Sequence, residues 1–248
     1  MKYGWMMAAG ALAMATMGGA ARAAPELGDA VYSPYIEDGE SSVEIRGGQS
    51  QGGPAATDAG EIVEVEHGFN AWFSAALVGE FEQHPHETGK LDSLGLETVF
   101  ATGTIPLVDV DTGLYVEYQQ RLHAESGVGE VKALFAKRVG DFEGRLNVNM
   151  IHPFTTRELT EYDYAASADW GLGRDARLGV EAMGELGFGG RFGGGLQHYV
   201  GPLFKYTVNG LPYVGVKIET AYLFAVGAPS GRADDGQVRL GVELEKRF

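Results

Sequence analysis

Glutamates and arginines recur two residues apart along much of this chain, and that interval limits what they can do together. Glu143 with Arg145, and Lys217 with Glu219, each set an acid beside a base at this spacing. Glu64 with Glu66 and Glu161 with Asp163 set two acids so. Closure of the first strand on the last is expected to bring Glu44 and Arg46 to Arg239 and Glu243. In an extended chain, side chains two apart point to the same side. Glu97, Glu117, Arg121, Lys132, Arg177, Glu181, Arg239 and Glu243 fall on that side by the same count. Acids and bases held this way pair across strands. Carboxylates left over draw cations toward the surface they line. This is the chemistry of a charged wall, and it asks for no nucleophile.

Other constellations are weaker. His84-Pro85-His86, near Glu80, Glu82 and Glu87, has metal-ligand residue types in what reads as a solvated loop, and no metal site is expected. Asp109 to Gly113 resembles the start of a calcium loop but lacks the bidentate Glu at loop position twelve. Gly184 to Gly195 is glycine-rich, yet no helix follows that would turn it into a phosphate cradle. It reads instead as bulges and a loop tip. A hydrolase needs a Ser or an acid beside a His. Ser74 and Ser167 have no inward His at similar depth, His123 and Ser126 lie near one loop, and Asp169 is at the wrong end of its strand. Neither an enzyme nor a cofactor is expected.

The elements that position the charged wall are strands. Val238, Leu240, Val242 and Leu244 alternate with Arg239, Glu243 and Glu245 in the last stretch. Phe142, Leu146, Val148 and Met150 likewise oppose Glu143, Arg145, Asn147 and Asn149. About twelve segments repeat this, each near the length a tilted strand needs to cross a bilayer. The connections sort by parity. Short ones are expected at Gly68–Asn70, Gly140–Asp141, Gly171–Asp175 and Asn209–Gly210, and long ones at Gln49–Gly60, His84–Lys90 and Ala228–Gly236. Gly103–Thr112 is the exception, a longer connection on the short side. The same alternation also describes a half-buried sheet in a soluble all-β domain. Charge on the non-apolar face, with Tyr162, Tyr164, Trp170, Tyr206, Tyr222 and Phe248 near strand ends, favours a membrane barrel with aromatic girdles.

Composition agrees. Residues 1–23 read as a cleaved signal peptide, with Lys2, an apolar run from Trp5 to Met17, and the Ala21-Arg22-Ala23 site. Residues 24–40, polar and containing Pro25 and Pro34, read as a periplasmic lead-in, and 41–248 as the barrel. Loss of Lys2 and Arg22 leaves 17 basic against 34 acidic residues, a balance that excludes a nucleic-acid footprint. With no cysteine, no disulfide framework holds the exported chain. Mean hydropathy is −0.11, as expected when half of each strand faces a polar interior.

The chain ends Leu244-Glu-Lys-Arg-Phe248, with the aromatic in register with the apolar face. This resembles the closing strand of bacterial outer-membrane β-barrels, and departs from it at Lys246, where that class often has an aromatic. The resemblance implies a closed antiparallel up-and-down barrel, a Gram-negative outer-membrane location, contact with lipid, and recognition of Phe248 by the barrel-insertion machinery. The start, Tyr32-Ser-Pro-Tyr-Ile-Glu-Asp-Gly-Glu then Val43-Glu-Ile-Arg-Gly-Gly, is similar to a group of uncharacterised proteobacterial envelope proteins and brings no functional residues with it. The reading is a porin-like narrow pore or small-solute transporter with a cation-leaning lumen. Open beside it are a non-conducting structural or interaction barrel, and a rim or lumenal hydrolase. About twelve strands lie between barrels filled by side chains and barrels that hold a channel, so width does not decide.

Overall fold

A computed structural model of the chain describes residues 27–53, 55–83, 88–123, 126–155, 158–193, 197–209, 214–226 and 234–247. Residues 1–26, which include the expected signal peptide, the His84–His86 motif, Gly210 and Phe248 lie outside them. Twelve long strands follow one another: β1 (Glu40–Gln51), β2 (Ala59–Asn70), β3 (Phe73–Gln83), β4 (Lys90–Ile105), β5 (Val110–Arg121) and β6 (Val128–Val139). Then come β7 (Phe142–Pro153), β8 (Glu161–Leu172), β9 (Ala176–Phe188), β11 (His198–Val208), β12 (Gly215–Val226) and β13 (Gly236–Arg247). Between β9 and β11, the two-residue β10 (Arg191–Phe192) folds back on the end of β9. Each long strand pairs antiparallel with its neighbours in sequence, and β13 pairs with β1 over twelve residues, closing the sheet into a barrel.

The barrel is built inside-out relative to a soluble protein. Leu77, Leu94, Leu96, Leu178, Val180 and Phe224 on the outer face are each more than half exposed. Ser74, Glu97, Glu117, Asn147, Glu181 and Gln237 on the inner face are 5% exposed or less. Strand alternation makes both faces at once, and a slip of one residue would exchange them. Only lipid on the outside makes this arrangement favourable, since a charge on the lipid face costs roughly 2–4 kcal/mol at mid-bilayer. Aromatics ring both ends. Phe69, Trp72, Phe73 and Phe100 stack at one end, with Phe142 against Trp170. Tyr118 against Phe154, Tyr162 against Phe192, and Tyr222 against Phe224 mark the other. Such belts sit at membrane–water boundaries.

Loop lengths keep their parity, with two changes in detail. The Gly68–Asn70 turn lies instead at Ala71–Trp72, where Trp72 N donates to Asn70 Oδ1 (2.9 Å). The Gly103–Thr112 exception disappears, because β4 and β5 continue to Ile105 and Val110 and leave only Pro106 to Asp109 as the turn. Asp109 takes a positive φ of 51°, which an Asx side chain tolerates. β11 ends at Val208 and β12 begins at Gly215, and the Asn209–Gly210 turn lies partly outside the described residues. The end carrying these turns is called the turn end below, and the other the loop end.

Residues 27–39, expected as a lead-in outside the barrel, run inside it. Leu27 and Val31 are buried among lumenal side chains, and the segment reaches the turn end before β1 begins. The wall makes room with glycine. At Gly48 a Cβ would meet the Leu27 backbone, and at Gly68 the carbonyl of Glu37. Gly39 N then donates to Gly68 O (2.9 Å), tying the segment to β2.

Candidate functional site: the lumen

All the charged residues expected inside are on the inner face by register: Glu44, Arg46, Glu64, Glu66, Glu97, Glu117, Arg121, Lys132 and Glu143 on β1 to β7, then Arg145, Glu161, Asp163, Arg177, Glu181, Lys217, Glu219, Arg239 and Glu243. Register keeps these positions on one face although irregularities interrupt the ladders at Gly68/Asn70, Glu80/Phe81, Ala101/Gly103 and Tyr162/Asp163. Their partners are another matter. Glu143 does bind Arg145 (2.8 Å), and also Arg138 (3.1 Å). Lys217, however, meets Glu243 (3.4 Å) and Glu245 rather than Glu219, which takes Lys205 (2.9 Å). At the seam Glu44 lies opposite Glu243, so Arg46 turns along its own sheet to Glu44 (2.9 Å) and Glu64 (2.5 Å). Arg239 reaches Glu181 (2.7 Å). Pair geometry depends on strand stagger, which spacing within one strand does not carry.

The lumenal segment forms the waist. Tyr32 N donates to Asn147 Oδ1 (2.7 Å), and Asn147 Nδ2 donates back to Tyr32 O (3.0 Å). This two-way bond satisfies an extended backbone the way a neighbouring strand would. The Tyr32 hydroxyl lies between Arg46 and Glu97 (3.3 Å to Oε1), while its ring packs on Tyr115 with centroids 4.7 Å apart. Arg46 Nε donates to Gly28 O (3.0 Å) and Arg145 to Val31 O (3.3 Å). Lys132 holds Asp29 at 2.7 Å. Tyr35 donates to Asp111 (2.9 Å), and burial with that bond pushes its phenol up to about 12.

Two apolar clusters fix the segment where sequence parity gave no warning. Val31 packs among Ala165, Met183, Tyr199, Leu203, Ala221 and Leu223. Tyr32 and Ile36 pack on Val99, Tyr115 and Leu134. These wall residues stand at inward positions, where the charged neighbours had drawn attention. The signal was available in part: Tyr115, Tyr199 and Leu203 break the polar row of their own strands. Each such side chain, once buried, stabilises the packing by roughly 1.5–3 kcal/mol.

Two chambers of about 300 Å³ each flank the waist. They share Asp29, Tyr32, Arg46 and Glu97 in their walls. The turn-side chamber is lined by nine carboxylates and five bases, the loop-side one by eight and three. Among the described residues no three His, Cys, Asp or Glu side chains converge as a metal ion requires. Ser74 and Ser167 face the interior, whereas His67 bonds Ser41 (2.8 Å) and His152 bonds Thr160 (2.9 Å).

No protein-family model matches the sequence, nor does any curated protein. Solved structures do. An outer-membrane channel from Pseudomonas putida F1 superposes with a TM-score of 0.58 at 9% identity, covering 90% of this chain and 98% of that one. KdgM porin in complex with disordered oligogalacturonate gives 0.54 at 12% identity over 84% of this chain and 99% of that one. KdgM porin in a second structure gives 0.51 at 13% over the same shares. At such identities the likeness is one of fold, and the fold is that of bacterial outer-membrane porins and channels. With its apolar outer belt and charged interior, this chain is an outer-membrane β-barrel in contact with lipid.

Proposed function

We propose that the barrel is a narrow pore or small-solute transporter with a lumen that favours cations, constricted by its own N-terminal segment, and that it catalyses no reaction. The observation that supports this is the pair of polar chambers meeting at Tyr32, both with carboxylates in excess over bases. A narrow, low-dielectric interior with a surplus of one charge concentrates ions of the other sign. Both strand ends then lie in the periplasm, with the long loops outside the cell. The test is conductance in a planar bilayer under a salt gradient. The reversal potential should show cations favoured, and joint replacement of Glu117, Glu181 and Glu219 by Gln should lower the permeability ratio by about twofold or more. An unchanged ratio rejects their lumenal role.

One observation favours the second reading, a non-conducting envelope barrel: the Tyr32–Asn147–Arg46 contacts occupy mid-lumen. A correctly inserted but silent barrel supports that reading. Silence that ends when the segment is removed makes the segment the gate.

A further inference from the structure

The wall around residues 27–36 reads backbone as well as side chains. Asn147, fully buried, exchanges hydrogen bonds with the N–H and the carbonyl of Tyr32 (2.7 and 3.0 Å). Arg145 donates to Val31 O (3.3 Å) and Arg46 to Gly28 O (3.0 Å). Main-chain bonds combined with pockets for alternate side chains are how extended peptides are recognised. The pockets are here too. Val31 enters the seat formed by Met183, Tyr199 and Leu203, while its neighbour Tyr32 enters another formed by Val99, Tyr115 and Leu134. Lys132 Nζ lies 4.6 Å from the Tyr32 ring centroid and holds Asp29 at 2.7 Å.

Release of the segment strands no base. Arg46 keeps Glu44 (2.9 Å) and Glu64 (2.5 Å), Arg145 keeps Glu143 (2.8 Å), and Lys132 keeps Glu130 (3.3 Å). No ladder is lost, because β13 pairs directly with β1. Gly39, at a positive φ of 74°, joins the segment to β1 and gives the junction a freely turning backbone. What release does strand is the Asn147 amide, which bonds only Tyr32 among the described residues, together with the two apolar seats. A buried amide donor and acceptor beside such seats is satisfied by another extended peptide, whereas an ion satisfies neither.

We infer that the track along Asn147, Arg145 and Arg46 is a binding site for an extended peptide with an apolar residue next to a tyrosine, and that residues 27–36 are a tethered occupant which such a peptide displaces. This rests on the reading of the barrel as a pore narrowed by that segment, and adds a class of ligand for its lumen. The wild-type chain masks the site, because a tethered occupant competes at roughly millimolar effective concentration.

The test is titration calorimetry on the detergent-solubilised full chain carrying Val31→Ala and Tyr32→Ala, which empties both seats and leaves every wall residue in place. The probe is a synthetic peptide of residues 27–36 with acetylated and amidated ends. Saturable binding at one site is expected, about tenfold or more weaker to the unmodified chain. Adding Asn147→Leu, which keeps the volume and removes the amide, should weaken it about tenfold. Tyr32→Ala alone serves if the double change abolishes heat-modifiable migration on a gel. A scrambled peptide of the same composition is the comparator, and it carries the reading if Asn147→Leu does not fold. Equal binding of the scrambled peptide would overturn the proposal. So would binding that Asn147→Leu leaves unchanged, binding to the unmodified chain as tight as to the variant, or no saturable heat. In a planar bilayer, a silent barrel that binds the peptide removes the pore and keeps the site. A conducting barrel that binds no peptide does the reverse.

Discussion

In the turn-side half of the lumen and at its waist, Arg46, Arg138, Arg145, Arg177, Lys205, Lys217 and Arg239 each sit against a carboxylate. In the loop-side half the inward bases are Arg121 and Lys132, and three buried carboxylate oxygens, on Glu117, Asp163 and Asp234, lack a partner among the described residues. The wall has the same architecture throughout, so the difference lies in what the wall faces. Carboxylates outnumber bases in both chambers, and the bases named in each half are held by acids, because an unpaired buried ion is costly. The halves differ in how many bases there are to share: seven at the waist and toward the turns, two toward the loops.

The largest expected effect comes from removing the segment that defines the first half. Deleting residues 27–38 takes Tyr32 from the waist and joins the two chambers. Single-channel conductance should rise several-fold, while gel migration still reports a heat-modifiable barrel, since the deletion touches no strand-to-strand ladder. Unchanged conductance from an intact barrel would mean that ions already pass beside Tyr32, and that the segment is only structural.

A smaller, more discriminating effect separates matched from unmatched charge. Arg46→Met leaves Glu44 and Glu64 without their base and Gly28 O without its donor. Breaking a buried pair on one side costs about 3–5 kcal/mol, read as a fall in the urea midpoint for unfolding in detergent. Asp163→Asn removes a carboxylate that has no ion-pair partner among the described residues, and should leave that midpoint level or raise it. Equal losses in the two variants would erase the distinction between the halves.

How far the sequence foretold this follows from what spacing encodes. Alternation put Glu97, Asp163, Arg239 and the rest on the inner face, because face depends only on position within one strand. It also gave the strand number and the seam. It did not give Lys205 to Glu219, or Lys217 to Glu243 and Glu245, since those depend on stagger between strands. Residues 27–39 were missed for another reason. They lack alternation and contain Pro34, so their pattern says only that they are not a strand. What seats them is a set of inward apolar residues on distant strands, Tyr115, Leu134, Met183 and Leu203, and glycines at Gly48 and Gly68 whose purpose shows only when a second chain segment lies against them.

The smallest effect is expected at the loop-side rim. Arg121 and Glu158 pair at 2.9 Å with side chains 31% and 47% exposed, so water and salt screen the bond, and an exposed pair contributes at most about 1 kcal/mol. Arg121→Gln should therefore leave the urea midpoint within that margin, in contrast to Arg46. The same change removes one of the three bases lining the acidic chamber. The permeability ratio should shift modestly toward cations, most visibly at low ionic strength, where the Debye length reaches about 30 Å at 0.01 M. A loss of stability comparable to that of Arg46→Met would show that the rim pair is structural, and that the loop-side half depends on matched charge after all.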